Sequence, residues 1–265
     1  MEQHRIATGI KSLDPIIKGG FPSGSFIVLL GEMGAGNIEF AYTTLILSQL
    51  DQKKSYVSMT RSKEDILNEI AFGFSKENSS AIKNNLNFYD SSKQFFSNSC
   101  VPSKWLSEQI SFEALCEPKS GENLLDELVS FLDKNASNGL VIIDSLTSLA
   151  QYFEEFKTWN ELLFFLRALQ KKAKQWNGVV YAILSKNVFE GRKEESIMDC
   201  ADGALVFEWV ETGVAQRQQI MYIKKFGGLL PTLEKDNIAN FEIKIMPDTG
   251  FQVTNVKQIV SFGRR

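Results

Sequence analysis

Histidine is nearly absent from this chain: His4, close to the N-terminus, is the only one in 265 residues. A histidine-based catalytic triad or metal cluster in the body of the chain is therefore excluded. Cysteine is scarce as well. Cys100, Cys116 and Cys200 stand far apart, with no CxxC pair and no neighbouring histidine. That spacing argues against a disulfide framework and a zinc site, and suits a reducing compartment. Basic charge is not in excess, because the formal net charge is −3 and the terminal Arg264-Arg265 pair is too short to form a tail. No global field recruits nucleic acid, which is not an expected partner. No apolar run reaches membrane length and no leader pattern is present, so the expectation is a soluble, cytoplasmic protein without a membrane partner.

What is present reads as an α/β protein. The apolar fraction is 43%, with 20 phenylalanines, many in runs such as Phe95-Phe96 and Phe164-Phe165, and core packing accounts for such residues first. Turn signals from Thr8 to Gly24 predict a short helix and turn leading into a first central strand at 25–30. Helices are expected at 38–50, 63–74, 123–134 and 157–175, and strands at 54–59, 85–89, 140–143 and 179–184. An apolar segment at 204–209 precedes hairpin-like strands near 218–224 and 241–245, and 251–253 adds an edge strand. Strand–helix alternation implies a mostly parallel sheet wrapped by helices, and the final strands extend it in antiparallel fashion. One domain over 1–265 is expected, with an irregular insertion around 91–120. Exposed aromatics are what interfaces enrich, which makes Phe95, Phe96, Trp105 and Phe112 of that insertion a first candidate for a partner surface, beside plain core packing. The stretch Arg192-Lys193-Glu194-Glu195 reads as a solvated mixed-charge loop.

After the apolar run Phe26-Ile27-Val28-Leu29-Leu30 comes Gly31-Glu32-Met33-Gly34-Ala35-Gly36-Asn37-Ile38. This has the frame of the phosphate-binding loop G-x-x-x-x-G-K-[ST] without its chemistry. The lysine that reaches the β/γ-phosphates is Asn37, and the hydroxyl that holds Mg²⁺ is Ile38. Two readings stay open. Gly31, Gly34 and Gly36 can serve a tight strand-to-helix turn alone. Alternatively, the helix N-terminus keeps some affinity for phosphate, against which the Glu39 carboxylate in the first turn works.

The lead-in Thr8-Gly9-Ile10, Leu13-Asp14, Gly19-Gly20, Pro22 and Gly24, taken with the glycine loop, resembles the KaiC/RadA branch of RecA-like ATPases. Leu140-Val141-Ile142-Ile143-Asp144, followed by Ser145-Leu146-Thr147-Ser148-Leu149, resembles the Walker B strand of that branch. Tyr56-Val57-Ser58-Met59 with Ser62-Lys63-Glu64-Asp65-Ile66 is similar to its second strand and following helix. Met221-Tyr222-Ile223-Lys224-Lys225-Phe226-Gly227 resembles the segment that reaches a neighbour's nucleotide. The resemblance covers about residues 6–255 and implies a RecA-like fold. It also implies a set of losses. The glutamate pair that polarises the attacking water aligns with Thr60-Arg61, neither of which can act as such a base. The interface arginine aligns with Phe226, while Lys224 survives.

The expectation is a catalytically degenerate KaiC-like protein, a pseudo-ATPase acting as a regulatory or assembly module of archaeal type. Its vestigial nucleotide site would comprise Gly31, Gly34, Gly36, Asn37, Ile38 and Asp144, with no catalytic residue and no required cofactor. ATP with Mg²⁺ would bind weakly at most. A protein partner, an active KaiC-like paralogue or further copies of the chain are the expected partners. Asp144 can hold Mg²⁺ through water or simply cap its loop. Two rival readings stand beside this one. The first is an unconventional ATPase in which Arg61, Lys186 or a neighbour's Lys224 supplies the missing charge. The second is a recombination-accessory protein of the RadA-paralogue kind, which needs basic loops that the sequence does not offer.

Overall fold

The computed structural model describes residues 4–48, 53–97, 99–102, 105, 123–211, 217–236 and 238–258. The first half runs through β1 (Arg5–Ile6), β2 (Phe21–Pro22), β3 (Ser25–Gly31), α1 (Asn37–Leu47), β4 (Lys53–Ser58), α2 (Lys63–Gly73), α3 (Lys76–Asn85), β5 (Leu86–Asp90), α4 (Ser92–Phe96), α5 (Asn123–Asn135) and β6 (Gly139–Asp144). It continues through α6 (Leu146–Phe156), α7 (Trp159–Trp176), β7 (Val179–Ser185), α8 (Gly191–Asp199), β8 (Gly203–Glu211), β9 (Arg217–Phe226), α9 (Leu230–Lys235), β10 (Ile238–Met246) and β11 (Gly250–Gln258).

The strands from β3 onward form one nine-stranded sheet in the order β11-β10-β9-β8-β3-β7-β6-β4-β5. Pairings from β8 through β5 are parallel, and those among β8, β9, β10 and β11 are antiparallel. This is the expected layout. Its cause is visible in β3, where every residue is buried. A continuous apolar run suits a central strand covered on both faces. Side chains alternate across the sheet, so Ile27 and Leu29 join the cluster under α1 and α2, while Phe26, Val28 and Leu30 join the one under α5, α6 and α7.

The lead-in is a turn rather than a helix. The Asp14 carboxylate accepts hydrogen bonds from the Thr8 N–H at 2.9 Å, the Thr8 hydroxyl at 2.7 Å and the Gly9 N–H at 2.9 Å. Gly9 has φ +78, and a Cβ there would lie 2.4 Å from the Leu47 carbonyl oxygen. The lead-in motif therefore packs against the C-terminal end of α1, at the far end of that helix from the glycine loop.

Several expectations shift. Residues 191–199 form α8, not a loop, because Ile197 and Met198 bury one face of it. Helix α6 is an additional helix, not expected from the sequence, capped by the Ser145 hydroxyl, which accepts from the Ser148 N–H; the helix expected at 157–175 is α7. Strand β11 spans nine residues and lies at the sheet edge. Among the aromatics of the irregular stretch, Phe95 packs on the second cluster with its ring 6.3 Å from Tyr152, while Trp105 is exposed. Phe112 and Cys116 lie outside the described residues. Among the described residues, no helix is long and apolar enough to cross a membrane.

Candidate nucleotide site

Parallel α/β sheets bind ligands at the carboxyl ends of their strands. Here β3, β4, β6, β7 and β8 deliver the glycine loop, Thr60-Arg61, Asp144, Lys186 and Glu208 to that one edge. The topology thus brings together most of the residues singled out in the sequence.

The glycine loop closes on itself. Gly36, in the left-handed region at φ 104, is the N-cap of α1 with no side-chain cap bond. Hydrophobic side chains of the C-terminal hairpin lie against it: a Cβ at Gly36 would meet Ile243 Cδ1 at 3.2 Å and Ile245 Cδ1 at 3.3 Å. Asn37 is buried, and its side chain turns back under the loop. A Cβ at Gly31 would lie 2.3 Å from Asn37 Cγ, and Asn37 Nδ2 reaches the Leu29 carbonyl at 3.5 Å. Ile38 packs on the first apolar cluster. Of the two positions aligned with the phosphate lysine and the metal hydroxyl, Asn37 is turned into the protein and Ile38 lies half-buried against the cluster.

Side chains from β8 and β9 clamp the loop from outside. Gln219 Nε2 donates to the Gly34 carbonyl at 2.8 Å, and Trp209 Nε1 donates to the Met33 carbonyl at 3.2 Å. Glu32 accepts the Trp209 N–H at 3.1 Å and pairs with Lys186 at 3.0 Å. Lys186 also pairs with Glu208 at 2.7 Å, to which the Tyr222 hydroxyl donates at 3.1 Å. Desolvation is the largest single influence on Glu32 and pushes its pKa up. The Trp209 N–H and Lys186 together outweigh it and hold the carboxyl below its ordinary value. Lys186 is thus committed to two carboxylates and is not a free charge for a phosphate.

Asp144, at the end of β6, has an occupied carboxylate. The Tyr56 hydroxyl of β4 donates to its Oδ2 at 2.6 Å, and Arg61 Nη1 stands 3.9 Å from the same oxygen. Burial raises the Asp144 pKa above its ordinary value, with Tyr56 and Arg61 opposing. Burial likewise pushes the Tyr56 phenol well above its usual range, reinforced by the Asp144 charge. Arg61 is not the solvated loop residue that its position suggests. Its guanidinium forms an ion pair with Glu69 of α2 and lies 3.5 Å from the Tyr42 hydroxyl of α1, which itself donates to Glu69 at 3.0 Å. Local structure fixes it there. The Arg61 N–H donates to Ser58 Oγ at 2.9 Å, and the next residue, Ser62, opens α2 with a capping box to Asp65.

Tyr42, Tyr56 and Glu69 were not anticipated. Tyr42 and Tyr56 read as core aromatics, and both are buried. The only available signal was Glu69 lying two turns beyond the Arg61–Ser62 entry to α2, near enough to fold back on it. The aligned interface arginine position also differs from expectation. Phe226 lies inside its own chain, stacked on Phe21 with ring centroids 5.5 Å apart and pressed against Gly203. Lys224 is at the surface and pairs with Glu195. The groove of about 240 Å³ lined by Val129, Leu132, Phe165 and Trp176 lies between α5 and α7, on the sheet face opposite α1.

The family model described as the KaiC ATPase matches residues 6–246, which is most of the chain. The chain belongs to the KaiC ATPase family. A crystal structure of a KaiC-like protein from the hyperthermophilic archaeon Pyrococcus horikoshii OT3 superposes with a TM-score of 0.66 at 18% identity, covering 96% of this chain and 100% of that one. A search of curated proteins finds no match. The fold is thus RecA-like, a large mostly parallel sheet with antiparallel strands at its C-terminal side.

Proposed function

We propose that this KaiC-family chain is a pseudo-ATPase that acts through protein contacts, as a regulatory or assembly module. The observation that supports this reading is that Asn37, Ile38 and Asp144, at the aligned motif positions, are each engaged by the chain's own residues. Asn37 is folded under Gly31, Ile38 is half-buried against the first apolar cluster, and Asp144 is bound by Tyr56 beside Arg61. Mg²⁺ requires oxygen ligands in near-octahedral geometry. The donor set fits it poorly, since Ile38 offers no oxygen and a guanidinium stands by the Asp144 carboxylate at the end of β6.

The exterior of the same edge supports a protein partner. Met33, at the loop tip, is 98% exposed, and Trp209 and Val188 are partly exposed at this edge. Apolar side chains grouped around such a loop suit a protein surface better than a triphosphate. The rival reading, an ATPase with charge supplied by Lys186, is disfavoured because Glu32 and Glu208 already hold that lysine.

The test restores the loop. Asn37→Lys with Ile38→Thr should raise ATP affinity in a calorimetric titration, because it returns a charge-assisted contact worth about 1.5–3 kcal/mol. Turnover should stay absent, because Thr60-Arg61 provides no base. Brisk hydrolysis by the double variant would overturn the reading.

A further inference from the structure

Asp144 and Glu69 are carboxylates on different elements, and a single guanidinium joins them. Arg61 Nη2 pairs with Glu69, and Nη1 faces Asp144 Oδ2 at 3.9 Å. The surrounding donors are the phenol oxygens of Tyr42 and Tyr56, the first within 3.5 Å of Arg61 Nη1 and the second bonded to Asp144. Without the guanidinium, this cluster would be two carboxylates and two phenols. Carboxylate oxygen is the ligand type that a hard cation takes.

We infer that the Arg61 guanidinium is the resident cation of this cluster and excludes divalent metal from Asp144. A fixed positive charge between the two carboxylates neutralises one of them and repels any second cation. The Arg61 N–H bond to Ser58 and the capped start of α2 fix the backbone from which it reaches, and its own bonds are the ion pair with Glu69 and the contact with the Tyr42 hydroxyl. Arg61 thus has a specificity role toward metal that its alignment with a lost glutamate does not suggest. The inference rests on the Asp144 geometry and is separable from the regulatory reading. A chain that hydrolysed ATP while excluding metal from Asp144 would overturn that reading and leave this one intact.

The experiment measures Mn²⁺ binding to the full chain, by loss of the free-ion paramagnetic resonance signal and by the Mn²⁺ dependence of the melting temperature. Wild type should leave millimolar Mn²⁺ free and show no shift in melting. Arg61→Met should bind Mn²⁺ at least about tenfold more tightly, since the repelling charge is gone. Its melting temperature should rise with Mn²⁺, because a ligand of the folded state stabilises it even where the variant starts less stable. Arg61→Lys, which keeps a cation, should behave as wild type. Arg61→Met combined with Asp144→Asn should lose the gain. Mn²⁺ binding by wild type that Asp144→Asn abolishes would overturn the inference. So would an Arg61→Met chain that neither binds Mn²⁺ nor is stabilised by it, whether folded or not.

Discussion

Tyr56 is the residue on which the state of Asp144 turns. Its ring is fully buried, and its hydroxyl gives the Asp144 carboxylate its shortest contact. Tyr56→Phe keeps the ring and removes only that donor, leaving a buried carboxylate short of a partner. The expected cost is about 1–3 kcal/mol in urea unfolding at neutral pH. A loss below roughly 0.5 kcal/mol would mean that water or Arg61 already satisfies the oxygen. At this scale the sequence shows what is missing more readily than what replaces it. Asn37 and Ile38 stand out against a fixed loop frame. Tyr42 and Tyr56 do not, because a buried tyrosine in an apolar stripe is indistinguishable from core until its hydroxyl is placed. The same holds for Lys186. Its charge was visible, but not its two carboxylate partners, 154 and 22 residues away in sequence.

Strand β9 carries the clearest correction among the elements. Aligned by motif, Phe226 takes the place of an interface arginine, yet its side chain fills the space between Phe21 and Gly203. A register irregularity between Ala204 and Leu205 in the β8–β9 pairing lies beside this segment. One residue of slip moves a side chain to the opposite face. Phe226→Arg should therefore not create a surface contact. It would bury an unpaired charge, at a cost of about 4 kcal/mol or more, read as loss of soluble chain or a sharply lower unfolding midpoint. A stable, soluble Phe226→Arg would place residue 226 at the surface after all. The parallel strands were easier to read, because unbroken apolar runs such as those of β3 and β6 have few alternatives. Helix α8 was harder to read. Four charged residues dominate its start, yet one of them, Glu194, is buried along with Ile197 and Met198.

At the scale of the whole molecule, the fold and the family follow from order and spacing, and both hold. What the chain does depends on one edge of the sheet. There the glycine loop is clamped by Trp209 and Gln219, and Asp144 is bound by Tyr56 with Arg61 beside it. None of those four contacts is local in sequence, so none was legible before the strands were placed side by side. These contacts, set beside the motif positions held by Asn37, Ile38 and Thr60-Arg61, support the proposed reading of a site kept as scaffold. The most direct measurement is steady-state phosphate release by the purified chain with ATP and Mg²⁺, alongside Asp144→Ala. A pseudo-ATPase releases no phosphate above the buffer rate, and the variant is indistinguishable from wild type. Sustained release that Asp144→Ala abolishes would contradict it.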